Sequence, residues 1–313
     1  MPLDADMKAL LDQMAAAKLL SFHQMTPQAA REQMTRRTAV GDPVPVARVE
    51  DRMIPGPGGD IPIRIYTPSG SGPFGALVYF HGGGWVVGNI EMTDQPCRLI
   101  TNAAGCVTVS VDYRLAPEHK FPSGPEDCYA VTKWVSENAA AIGCDATRIA
   151  VGGTSAGATL ATATALMARD RNGPNIAFQL LVYPATQREL DTQSHRQFAT
   201  DGYYILSRAD MEWFWGHYLA SDADAANPYA CPVRAKTLAG LPPALVITAE
   251  FDPLRDEGEA YAARLGEEGI ATVLLRYDGV THGFFGMPTF IEKSRRAIAD
   301  ASAALRSAIG SPR

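Results

Sequence analysis

At 313 residues, with 46% hydrophobic and 20% charged side chains, the chain is long enough to bury one large α/β core or two small ones. A formal net charge of −6 without a Lys/Arg run gives no electrostatic reason to invoke nucleic acid or an anionic membrane. Five cysteines (Cys97, Cys106, Cys128, Cys144 and Cys231) are an odd number at no metal-ligand spacing, which predicts core thiols of a reduced, cytoplasmic protein and no metal site.

Asp4, Asp6, Lys8 and Asp12 break up the apolar residues at the start, so no secretory core is expected there. No apolar run reaches membrane-spanning length. Met7, Leu10, Leu11 and Met14 recur at helical spacing and predict an amphipathic helix over 4–20. Thr26-Pro27 marks a second helix start, with threonine as N-cap and proline at the first helical position. Val44 to Ile54 and Ile61 to Tyr66 alternate around Pro55-Gly56-Pro57-Gly58-Gly59, a predicted hairpin. Ala76 to Phe80 is short and continuously apolar, as a buried parallel strand is. A helix near 94–104, a strand Cys106 to Val111, a helix near 125–141, a strand ending at Ser155, a helix, and a strand Ala177 to Tyr183 continue the alternation.

From Pro184 to about Pro243 the rhythm lapses into a stretch rich in aromatics, where Ser207-Arg208-Ala209-Asp210 predicts a capped helix to about Leu219. It resumes with a strand Ala244 to Ala249, a helix to about Gly266, a strand Ala271 to Tyr277 and a last helix from about Pro288 to Ile309. Eight strands with interleaved helices predict a single mostly parallel α/β sheet. The N-terminal helices (1–45) and the insertion (185–240) are left over as one helical cap on a catalytic body of 46–184 and 241–313.

The chain is organised around Ile149-Ala150-Val151-Gly152-Gly153-Thr154-Ser155-Ala156-Gly157, a Gly-x-Ser-x-Gly pattern set between a strand and a helix. A serine on so sharp a corner adopts strained backbone angles, and Gly153 and Gly157 let neighbouring backbone pass close by. Such a hydroxyl needs a base. Among six histidines, His282 lies just beyond the strand Ala271 to Tyr277, through Asp278-Gly279-Val280-Thr281, where catalytic groups of an open parallel sheet collect. The orienting acid is read as Asp252, at the end of the neighbouring strand. Glu250 inside the strand and Asp256 within the following helix are its competitors. Asp252-Pro253 also reads as a helix N-cap, and one carboxylate is not expected to serve both its own helix and an imidazole.

Attack on a carbonyl leaves charge on oxygen, which needs preformed donors. His81-Gly82-Gly83-Gly84-Trp85 follows a strand directly, and the backbone N–H groups of Gly83, Gly84 and Ala156 are the expected donors, with His81 bracing the loop. A phosphate cradle is the rival reading, and it lacks the lysine of a P-loop and the spacing of a dinucleotide fingerprint.

His81-Gly82-Gly83-Gly84-Trp85, Tyr113-Arg114-Leu115-Ala116-Pro117-Glu118, Gly153-Thr154-Ser155-Ala156-Gly157, Asp252-Pro253-Leu254-Arg255-Asp256-Glu257-Gly258 and His282-Gly283-Phe284 together resemble the hormone-sensitive-lipase-like (family IV) bacterial esterases of the α/β-hydrolase fold. The resemblance runs in order from about residue 45 to the end. It implies a carboxylesterase of short acyl esters with an eight-stranded sheet and a helical cap. Residue by residue, it assigns Ser155 as nucleophile, His282 as base, Asp252 as orienter, and Gly83, Gly84 and Ala156 as oxyanion donors, with no cofactor. Many members carry aspartate before the nucleophile, where this chain has Thr154, as a subset does. Some relatives dimerise through the last strand and helix, which leaves a homodimer open here.

Trp85, Phe198, Tyr203, Tyr204, Trp213, Trp215 and Phe284 are the candidate pocket aromatics, although most aromatics at helical spacing are core. Two rival functions remain on the same fold: a receptor that binds a small ligand without hydrolysing it, and an amidase or arylformamidase.

Overall fold

In the computed structural model, which describes residues 2–38, 42–200 and 204–310, the first helical pattern forms α1 (Ala5–Ala16) and the Thr26-Pro27 start forms α2 (Pro27–Thr38), with Thr26 Oγ1 accepting from Ala29 N–H. The hairpin is β1 (Arg48–Gly56) and β2 (Gly59–Thr67). Next come β3 (Phe74–Phe80), α3 (Asp94–Ala104), β4 (Val107–Val111), α4 (Ser123–Glu137), β5 (Cys144–Thr154), α5 (Ala156–Asp170) and β6 (Phe178–Val182). The insertion carries a short α6 (Gln193–Phe198), not foreseen from the sequence, and α7 (Arg208–Tyr218), whose capping box Ser207/Asp210 forms as expected. The chain closes with β7 (Ala244–Phe251), α8 (Arg255–Glu267), β8 (Thr272–Thr281) and α9 (Glu292–Ile309).

The sheet order is β1-β2-β4-β3-β5-β6-β7-β8, antiparallel at β1–β2 and β2–β4 and parallel elsewhere. Every residue of β3, β4 and β6 is buried, which is why these runs read as unbroken hydrophobic stretches rather than alternating ones. Alternate side chains feed two cores. Val78, Val109, Val151 and Val246 meet α4, α5 and α8 on one face; Leu77, Tyr79, Leu180 and Ile247 meet α3 and α9 on the other.

Several boundaries move for tertiary reasons. The expected strand start at Val44 is displaced to Arg48 because side chains of α3 occupy the backbone there: Gln95 accepts from Val44 N–H, Arg98 donates to Val44 O, and Asn102 donates to Pro45 O. β8 runs four residues past Tyr277. A register shift between Ala249 and Phe251 lets Phe251 pair with Thr281, and Gly279 takes φ +73° with its N–H on Glu250. The last helix starts at Glu292, not Pro288, and Glu292 N–H is met by Asp6 of α1.

The two N-terminal helices go to different places. α1 buries Met7 and Leu11 in the core beneath β8 and α9, with Asp4 N–H on Gly279 O at 2.9 Å. The turn before α2 reaches the insertion instead. Phe22 packs on Phe214 of α7, and His23 pairs with Asp210 at 2.9 Å. Among the described residues no helix is long and apolar enough to cross a membrane.

Candidate active site

Three strand ends meet at one place. Ser155 follows β5 with φ 54° and ψ −123°, a strained conformation for a residue with a side chain. The strain is held from both sides: Ser155 N–H donates to Val182 O of β6 at 2.8 Å, and Ser155 O accepts from Ala158 and Thr159 of α5. Gly157 is required because α5 starts against the end of β3, where any Cβ would collide with the Phe80 carbonyl.

His282 follows β8 directly, because the strand runs on through the Asp278–Thr281 stretch that the sequence reading put between strand and histidine. Its Nε2 lies 3.0 Å from Ser155 Oγ and its Nδ1 2.8 Å from Asp252 Oδ2, with the Tyr183 ring packed beside the imidazole at 4.6 Å. Asp252 is fully buried just after β7. The expectation that one carboxylate would not serve both helix and imidazole is corrected here. Oδ1 accepts from Leu254 N–H at 2.8 Å while Oδ2 meets His282, because the two oxygens of a carboxylate face different ways. Its competitors are engaged elsewhere: Glu250 accepts from Gly279 N–H, and Asp256 binds Ser194 and Arg255.

The glycine loop after β3 lies against this line, since a Cβ on Gly82 would come within 3.4 Å of Ser155 Cβ. Gly83 (φ +117°) and Gly84 (φ +56°) adopt left-handed backbone that bulkier residues resist. Gly83 O accepts from Val86 and Val87, and among the described residues no protein acceptor is found for the N–H of Gly83, Gly84 or Ala156. His81 is a buried brace: Nδ1 donates to Gly82 O at 2.7 Å, its ring stacks on Tyr113, and Tyr113 Oη–H donates to His81 O. Burial pushes its pKa down to about 4, so the ring is neutral at physiological pH.

The candidate pocket aromatics divide. Trp85 is corrected to core: it is buried between the glycine loop and α7, stacked on Tyr218 at 4.2 Å and against Trp215, which is buried with it. Phe284 is corrected likewise, fully buried against Tyr183 and Tyr277 because the strand end turns it inward. Phe198 and Trp213 are half-buried; Phe198 packs on Phe251 and Tyr204 beneath the Arg255 guanidinium. Tyr203 lies outside the described residues. A surface cavity of about 360 Å³ lies along β1 and β2, lined by Arg64 and Asp112 among others, and touches none of the candidate residues.

Arg114 and Glu118 do not pair with each other. Arg114 forks onto buried Asp127, and Glu118 takes the fork of Arg31. Arg31 is a further residue that acts on the glycine loop. From α2 its Nε donates to Val86 O and Nη2 to Ala116 O, clamping the glycine loop to the Tyr113–Glu118 segment. No local pattern marks it, since its partners lie 55 and more residues away.

The family described as alpha/beta hydrolase fold matches residues 77–286. An arylesterase of Saccharolobus solfataricus is 38% identical over 92% of this chain and 94% of its own length. The carboxylic ester hydrolase LipN of Mycobacterium tuberculosis is 44% identical over 76% of this chain, which spans 65% of that protein. Among solved structures, the hyperthermophilic esterase of Pyrobaculum calidifontis superposes with a TM-score of 0.94 at 44% identity, covering 98% of this chain and 99% of that one. Sheet order, matched residues and relatives agree, and the chain belongs to the α/β-hydrolase family, in its hormone-sensitive-lipase-like branch.

Proposed function

We propose that this protein is a carboxylesterase that passes the acyl group of a carboxylic ester to Ser155 and then to water. The observation that carries this reading is the continuous hydrogen-bonded line from Ser155 Oγ through His282 to Asp252 Oδ2, at 3.0 and 2.8 Å. The esterase relatives support the ester as substrate.

In the first step Ser155 Oγ attacks the ester carbonyl and His282 Nε2 takes its proton. Asp252, accepting from Nδ1–H, keeps the imidazole in that tautomer and stabilises the cation. The negative oxygen of the tetrahedral intermediate is held by the N–H groups of Gly83, Gly84 and Ala156, which turn bare backbone towards it. His282 then gives the proton to the departing alkoxide. Water, deprotonated by the same nitrogen, releases the acid and restores Ser155. Residues 22–38 and the insertion act as a cap over this site, supported by the Phe22–Phe214 and His23–Asp210 contacts. Five buried free thiols support a reducing, cytoplasmic setting.

A p-nitrophenyl ester series of increasing acyl length, with matched amides, tests the substrate class. Stoichiometric labelling of Ser155 by an organophosphate, absent in Ser155→Ala, tests the nucleophile. Wild-type protein that binds esters yet neither turns them over nor labels would be a receptor, and would overturn the proposal.

A further inference from the structure

The machinery above leaves one pair of buried ionisable side chains unused. His195 of α6 and Glu257 of α8 have fully buried side chains, with Nε2 and Oε2 3.3 Å apart. Neither atom has a hydrogen-bond partner among the described residues, so the approach brings together two unpaired buried polar atoms. They sit in the middle of a seam between the insertion and the turn that begins with Asp252. Glu257 Oε1 accepts from Thr186 N–H at 2.6 Å, and Thr186 Oγ1 donates to Glu257 O. Ser194 Oγ donates to Pro253 O at 2.6 Å, Ser194 N–H donates to Asp256, and Asp256 N–H returns to Ser194 Oγ. His195 is oriented by Thr192 Oγ1, 2.8 Å from Nδ1. Residues 186–195 thus grip 253–257, the segment that follows Asp252.

A salt bridge so deeply buried would be a poor source of stability, because desolvating both charges offsets their attraction. Burial acts on both groups in the direction of neutrality: it pushes Glu257 well up and His195 down. Asp252 adds a negative charge on the same side, which further disfavours an ionised Glu257. Asp256, Asp191, Glu189 and Arg208 are the other charges facing the pair. A neutral carboxyl donating Oε2–H to His195 Nε2 satisfies both orphaned atoms without setting a second buried negative charge against Asp252.

We propose that His195 and Glu257 are positioning residues: a buried tie through which the insertion sets the aim of Asp252 at His282. This rests on Asp252 being the orienter of the esterase reading. The insertion is then part of the charge-orienting machinery as well as a cover over the site.

Glu257→Gln keeps the acceptor for Thr186 and offers an N–H to His195, so it should hold kcat and the pH–rate profile near wild type. Glu257→Ala and His195→Ala should lower kcat by about ten- to a hundredfold with KM little changed, the size expected of a misaimed catalytic group. In an Asp252→Asn background the Glu257→Ala loss should vanish, since the tie acts through that carboxylate. Thr192→Val, which only removes the support of His195, gives a milder variant if the alanine forms unfold. Folded alanine variants with wild-type kcat would overturn the proposal, as would Glu257→Ala and Asp252→Asn losses that multiply. A shifted acid limb in Glu257→Gln would overturn the neutral state. Wild-type turnover and organophosphate labelling, measured alongside, separate failure of the tie from failure of the esterase reading.

Discussion

The two walls of the candidate site are built differently. On the body side, Ser155, Asp252 and His282 each stand at the end of a parallel strand, and main-chain geometry delivers them. On the insertion side there is no strand among the described residues, and the backbone between its helices is held by long side chains. Arg264 donates to Val233 O and Ala235 O, Arg169 to Thr237 O and Ala239 O, and Arg208 to Leu190 O. A sheet specifies position through its own register, whereas the insertion borrows its position from side chains that reach its backbone. Damage on the body side should therefore strike chemistry or global stability, and damage on the covering side should act locally.

The largest effect tests the body. Ser155→Ala should lower turnover by about 10³-fold or more while the melting temperature stays near wild type. A large loss of stability would mean the strained corner depends on the hydroxyl and not on its backbone bonds.

A smaller effect concerns the brace beneath the glycine loop. Burial lowers the pKa of His81 from its ordinary 6.5 to about 4, so below pH 6.5 the unfolded chain binds a proton that the folded form refuses. Stability is full above pH 6.5 and should fall by up to about 3 kcal/mol as the pH drops towards 4, with His81→Asn flattening the curve in denaturant titrations.

On the covering side, Arg31→Ala should leave global unfolding within about 1–2 kcal/mol of wild type, since it removes hydrogen bonds at a partly exposed site. It should also speed proteolytic cutting near α2 and lower kcat by loosening the glycine loop. An unchanged kcat would mean that the Arg31 contacts do not set the geometry of the glycine loop.

The smallest effect is acid release of that same link. The Arg31 guanidinium holds Glu118 at about 2, below its usual 4.5. Its contribution is present above pH 4.5 and lost as the pH falls towards 2. Salt should weaken it at neutral pH, read as earlier proteolysis of α2 without global unfolding.

Much of this arrangement is legible in the sequence. The Gly-Thr-Ser-Ala-Gly turn, the glycine triplet after Phe80 and the acid and imidazole after two later strands are local signals, and each was placed on its element from residues within a few positions. What local reading missed has partners far away in the chain. The β1 start was moved by α3 side chains, α9 is capped by Asp6, and Trp85 and Phe284 were drawn into the core by rings from other elements.

The sequence by itself determined the order and approximate place of the strands and which hydroxyl, imidazole and carboxylate follow them, because strand periodicity and turn chemistry are written in neighbouring residues. Only the tertiary structure decided that Asp252 splits its two oxygens between Leu254 and His282, that Arg31 clamps the glycine loop, and that His195 meets Glu257. Apart from the Leu254 bond, those contacts join residues tens of positions apart, and no short-range pattern constrains such a pair until the sheet has brought both ends together.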